Sequence, residues 1–103
     1  MTEEDQPAVA ADEDPDGTDA VRCWLVERTY DDKGLVRLVY ATSDGDRAIT
    51  NERSAQLLAR QPATAAIAVD ASKLEPVEDA ETRERYAAEA DRMRDRHDPT
   101  DEV

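Results

Sequence analysis

The stretch VRCWLVERTYDDKGLVRLVYAT, residues 21–42, decides the fold. Val21–Tyr30 and Leu35–Thr42 are rich in β-branched and aromatic residues, as strands are. Between them stand Asp31-Asp32-Lys33-Gly34, where Gly34 can take positive φ and close a three-residue hairpin loop with a bulge. If Asp31 pairs with Leu35, then Tyr30 faces Val36, Arg28 faces Leu38 and Val26 faces Tyr40. That register gathers Trp24, Val26, Tyr30, Val36, Leu38 and Tyr40 on one face. A slip of one residue would oppose Arg28 to Arg37, which is unfavourable.

The chain on the far side of this hairpin continues the pattern. Ser43-Asp44-Gly45-Asp46 contains Asp-Gly, a signal for a two-residue turn that needs positive φ at both positions. It predicts a third strand over Arg47–Thr50, with Ile49 beside Tyr40. Thr50 or Asn51 can cap a helix over Glu52–Arg60, with Leu57 and Leu58 among its apolar positions and Pro62 as its stop. Ala63–Val69 alternates small and apolar residues and predicts a fourth strand. Pro76 blocks a helix, and Asp79 offers the N-cap of a long one over residues 80–97. Glu81–Arg85 and Glu89–Arg92 are spaced to pair along it, and Tyr86, Ala90 and Met93 form a narrow apolar stripe. The expected class is α+β: an antiparallel four-stranded sheet in the order β-β-β-α-β-α, with a long C-terminal amphipathic helix packed against it.

Charge divides the chain. Residues 1–20 hold eight acids and no base, residues 21–77 hold eight of each, and residues 78–103 hold ten acids against five arginines. Of the 16 Leu, Ile and Val residues, 14 lie within residues 21–77, so the electrically balanced centre is the part with a globular composition. The expected organisation is a disordered acidic tail over residues 1–20, one α+β domain over 21–97, and a second disordered tail over 98–103. A net charge of −13 repels polyanions such as nucleic acids and membrane surfaces. Asp outnumbers Glu fifteen to eleven, only two lysines occur and Phe is absent. Such a surface stays hydrated in molar salt, where the Debye length is about 3 Å and self-repulsion is screened. These features point to a halophile, although a GC-rich genome also favours Ala, Arg, Asp and Val. No signal-peptide pattern and no apolar run of membrane-spanning length occurs, so the expected location is the cytoplasm.

The segments CWLVERTYDDKGLVRLVYAT and ETRERYAAEADRMRDRHDP resemble a family of small haloarchaeal proteins of unknown function. The resemblance covers most of residues 22–100. It implies no activity, cofactor or site residue, and it agrees with the halophile reading.

Catalysis finds no constellation. His97 is the only histidine, placed near a helix C-terminus where an imidazolium is a structural device. Cys23, the only cysteine, lies inside a predicted strand rather than in a basic pocket, and reads as a small buried hydrophobe. Asp12-Glu13-Asp14-Pro15-Asp16-Gly17 lacks the spacing of a calcium loop, which leaves only diffuse cations from a salty cytoplasm. Three glycines are too few for a phosphate-cradling loop. The chain therefore reads as a non-enzymatic interaction or regulatory module without metal or cofactor.

The short helix is too small to cover a whole sheet face. The uncovered strip would show Cys23, Leu25, Leu35, Val39 and Ala41, and such strips mark association, most often as a homodimer. The candidate interface is Leu25, Leu35 and Val39 with Tyr86 and Met93 of the long helix; the partner would be a second copy or another protein. The alternative is a nucleic-acid-binding protein using Arg22, Arg28, Arg37 and Arg47 with the interleaved aromatics. The acidic balance argues against it.

Overall fold

A computed structural model of the chain describes residues 20–103. It consists of β1 (Ala20–Tyr30), β2 (Leu35–Ala41), β3 (Arg47–Ser54), α1 (Ala55–Arg60), β4 (Ala66–Asp70), a 3-10 turn (Ala71–Lys73), β5 (Glu75–Pro76) and α2 (Ala80–Arg96). The class is α+β, but the sheet has five strands rather than four, in the antiparallel order β4-β1-β2-β3-β5. Apart from Ala20, which opens β1, the expected acidic tail lies outside the described residues.

The first hairpin closes as its sequence dictates. Asp31 N–H donates to the Leu35 carbonyl at 3.0 Å, and Gly34 takes φ +86°. The Asp31 carboxylate accepts from the amides of Lys33 and Leu35, fixing the loop. Tyr30 pairs with Val36 and Arg28 with Leu38, as expected.

Val26 departs from the expected register. A bulge between Leu25 and Glu27 leaves it unpaired, so Leu25 rather than Val26 opposes Tyr40. Parity reverses below the bulge. Cys23 and Leu25 join Val36, Leu38 and Tyr40 on the face toward α1, where Leu58 packs. Trp24 turns to the opposite face and packs with Ala65, Ala66 and Ala90 of α2. The predicted six-residue face is thus split between two clusters.

The second turn also differs. Thr42–Asp46 forms a five-residue connection in which Gly45 N–H donates to the Thr42 carbonyl at 2.8 Å, placing glycine last in a tight turn. The Thr42 hydroxyl donates to Asp44 at 2.6 Å and accepts from Arg47 N–H at 3.2 Å. The Thr42 hydroxyl, joined by Asp46 N–H, holds the Asp44 carboxyl below its ordinary range. Gly45 is buried under α2. A Cβ there would lie 2.2 Å from the Arg83 carbonyl oxygen, so this turn is where the helix is seated.

Strand β3 brings Ile49 beside Tyr40, as expected, but runs on to Ser54. Ser54, not Thr50 or Asn51, caps α1 by accepting from Leu57 N–H. The ladder to β2 outcompetes the earlier cap, because each extra pair satisfies backbone groups that a helix start would leave unpaired. Asp79 caps α2 as expected, and its contacts to the hydroxyl and amide of Thr82 lower its pKa.

The C-terminal segment is corrected too. Residues 98–103 are not a loose tail. Ala65 and Ala66 N–H donate to the carbonyls of Asp101 and Pro99, and Val103 N–H donates to Ala63. Val103 packs against both core clusters. Together with Leu74, which follows the 3-10 turn, this segment covers the sheet surface that α1 is too short to reach.

Candidate functional site

Two of the five expected interface residues are core. Leu25 and Val39 are buried, Leu25 because the bulge turns it beneath the Leu74 and Ala63 cover, and Val39 because it lies on the α2 face. Neither is available to a partner in this fold, and the expected apolar strip is closed. Tyr86 and Met93 are half-buried on the inner side of α2. The Tyr86 hydroxyl donates to Glu27 at 3.4 Å, and Met93 packs against both clusters. Leu35 alone remains open, at 39% exposure.

The exposed apolar surface lies instead at the end of the first hairpin. Tyr30, 63% exposed, stands at the last position of β1 on the α1 face. Its ring borders a groove of about 240 Å³ between the sheet and α1. Val36 and Ala63 form the floor, and Ala55, Leu58 and Ala59 of α1 with Pro62 form the far wall. The groove exists because α1 is short. It carries the chain across the sheet toward β4 in under two turns and leaves the tip of β1 uncovered.

Two arginines stand on the groove's side of the sheet. Arg28 lines it two residues before Tyr30. Across the sheet, Tyr30, Val36 and Arg53 form one row, so Arg53 shares the face. Both guanidinium groups lie close enough to the buried Tyr40 hydroxyl to offset part of the rise that burial imposes on its pKa. Among the described residues, Arg28 and Arg53 make no ion pair. The ion pairs seen among the described residues include Arg85 of α2 with Glu27 of β1, Arg92–Glu89 and Arg94–Asp91 along α2, and His97–Asp101 after it.

Strand parity separates the arginines named for nucleic acid. Arg28 and Arg47 lie on the α1 face, near opposite ends of the sheet, while Arg22 and Arg37 lie on the α2 face. Arg22 and Arg47 meet at the far end of the sheet, where they line a recess of about 520 Å³ with Asp44 and Arg94. Of the aromatics expected to interleave with them, Trp24 and Tyr40 are buried, each 3% exposed, leaving Tyr30 to stack.

Cys23 is fully buried and its thiol is pushed up to about 11 by desolvation, against a smaller opposing influence of Arg47. His97 caps α2, with Nδ1 3.7 Å from Asp101. Among the described residues no three His, Cys, Asp or Glu side chains gather as metal ligands would. No described helix is long and apolar enough to cross a membrane.

Sequence reasoning named Leu35 but missed the groove. The available signal was the combination of Tyr30 at a strand end and Pro62 cutting α1 short. What hid it was the bulge, since an unbroken strand places Tyr30 within one continuous apolar face.

The chain belongs to a family of unknown function, DUF7967, whose model matches residues 17–103. No curated protein and no solved structure matches the chain. The family description gives neither an activity nor a source, so the haloarchaeal origin implied by the resemblance stands as an expectation.

Proposed function

We propose that the protein is a non-enzymatic binding module whose groove at the hairpin end takes up a short segment of another protein. The segment brings an apolar side chain against Tyr30 and Leu58 and carboxylates to Arg28 and Arg53. One observation carries this reading: a 63% exposed tyrosine walls an apolar groove beside two arginines that make no ion pair among the described residues. Apolar floors with charged rims give affinity through burial and orientation through charge. The acidic, lysine-poor composition suits a high-salt cytoplasm, where the chain's net charge would not repel an acidic partner.

A displayed random-peptide library panned against the full chain in molar KCl tests it. Enriched sequences should combine an aromatic or large aliphatic residue with Asp or Glu. Tyr30→Ala and Arg28→Glu should each weaken the selected peptides about tenfold or more, while Trp24 emission stays native. Loss of the reading would follow from no enrichment, or from peptides indifferent to both substitutions. Tight binding of labelled oligo(dT) or poly(U) that depends on Arg28 and Tyr30 would transfer the site to single-stranded nucleic acid.

A further inference from the structure

The outer edge of β3 is half-covered. β5 pairs only with Arg47 and Ala48, and among the described residues no strand lies beside residues 49–54 on that side. Thr42 N–H donates to the Arg47 carbonyl, so the alternation of an antiparallel ladder turns the N–H and C=O of Thr50 and Glu52 away from β2. Both residues are exposed. An edge with outward backbone groups and no blocking proline is a template for another strand.

We propose that the occupant is the same edge of a second copy, paired antiparallel about a twofold axis through Asn51, which joins two five-stranded sheets into one. The sequence of β3 complements itself in this register. Thr50 falls opposite the partner's Glu52, Ile49 opposite the partner's Arg53, and Asn51 opposite its own counterpart. A shift of one copy by two residues either way sets Glu52 against the partner's Glu52 or Arg47 against the partner's Arg53, both unfavourable. The pairing occupies residues 49–53, which fits between the end of β5 and the start of α1. It supplies four main-chain hydrogen bonds, two at each Thr50–Glu52 pair.

A hollow of about 330 Å³ beside Thr50 is lined by Lys73 and Glu75 together with Thr82 and Tyr86. The partner's Glu52, on the same sheet face as Thr50, falls at its mouth, where Lys73 attracts it and Glu75 opposes it, so the choice of occupant rests on the register of β3. Lys73 makes no ion pair among the described residues.

Five residues a side is a small interface, so exchange between monomer and dimer is expected near about 100 μM chain in molar KCl. Sedimentation equilibrium of the full chain should show the mass doubling across that range. Glu52→Pro removes an outward N–H without touching the ladder to β2 and should raise the midpoint about tenfold or more, with Trp24 emission reporting that the fold is intact. A second measurement does not depend on how that variant folds. Asn51→Cys places two thiols at a close cross-strand pair on the axis, so mild copper-phenanthroline oxidation should yield a covalent dimer; Thr50→Cys, displaced from its own copy, should yield little. A strict monomer up to about 1 mM, or equal cross-linking at both positions, overturns the proposal. Peptide binding at the Tyr30 groove is unaffected by Glu52→Pro if the groove reading holds, so the two ideas fail separately.

Discussion

Two glycines with nearly the same backbone angle should respond very differently to alanine. Gly34 has φ +86° and Gly45 has φ +75°. At both, a side chain pays the left-handed penalty of about 1–2 kcal/mol, partly offset by about 0.4–1 kcal/mol of lost freedom in the unfolded chain. At Gly34 nothing lies within 4 Å of an added Cβ, so Gly34→Ala should cost about 1 kcal/mol. At Gly45 the Cβ would meet the Arg83 carbonyl oxygen at 2.2 Å and the Ala87 nitrogen at 2.9 Å. Both atoms are main chain of a well-formed helix turn, so neither can rotate aside. Relief requires moving α2 off the turn, which adds the usual overpacking term of about 1–3 kcal/mol or more. Gly45→Ala should therefore cost about 3 kcal/mol, a large share of the roughly 5–15 kcal/mol that holds a domain together. Expressed as melting temperature, this is about 5 °C for Gly34→Ala against about 15 °C for Gly45→Ala. Far-ultraviolet circular dichroism in constant salt measures both, and Trp24, packed against Ala90, reports whether α2 stays seated. If the two variants melt within about 2 °C of each other, α2 does not rest on the 42–46 turn and the packing described above is wrong.

Two further outcomes follow from the core and its cover. Cys23 keeps its proton to about 11 in the folded chain, against 9.0 for a free thiol, so its contribution is intact below pH 9 and is lost as pH climbs toward 11. The loss reaches about 3 kcal/mol, and alkaline urea titrations should show a limb beginning near pH 9 in the wild type that Cys23→Ala lacks, while the buried Tyr40, whose pKa burial also raises, adds a loss at higher pH to both proteins. Below pH 9 an aromatic disulfide reagent should label Cys23 only at the rate of global opening. Deleting residues 98–103 removes three backbone hydrogen bonds and the Val103 contacts, and should lower stability by about 3 kcal/mol. A truncated chain with an unchanged urea midpoint would show that this segment is decoration.

The first hairpin, the third strand's register and the long helix were legible because each rests on local chemistry: Gly34 at its turn, Ile49 opposite Tyr40, Asp79 at its cap. The bulge at Val26 was not, because Cys23-Trp24-Leu25-Val26 is four apolar residues in a row, and period-two alternation carries no information inside such a run. Glu27-Arg28, two charges in succession straight after it, was the trace of a parity change. β5 was hidden by its brevity: two residues, one of them proline, pair only because the 77–79 linker is tied down by Val77 N–H to Asp46 and by the Arg83 guanidinium on the Val77 and Glu78 carbonyls. The C-terminal segment reads as polar and proline-containing, yet its backbone satisfies the Ala63–Ala66 strand edge; composition reports what side chains bury, not where main-chain groups find partners.

The bulge also explains why a core and an open groove share one strand. In an unbroken β1, Trp24, Arg28 and Tyr30 have the same parity and meet the same cover. The extra residue assigns the two halves of the strand to different tasks. Below it, Cys23 and Leu25 are sealed on the α1 face by Leu74 and Ala63, while Trp24 is sealed on the other by α2. Above it, Arg28 and Tyr30 lie on the α1 face at the margin of that cover, where they line the groove with Leu58, Ala63 and Val103 instead of being sealed beneath them. Restoring strict alternation would return Trp24 to the α1 face and strip α2 of its aromatic seat. Deleting Val26 should accordingly unfold the protein rather than merely close the groove, which makes the position of the site a consequence of how the core is satisfied.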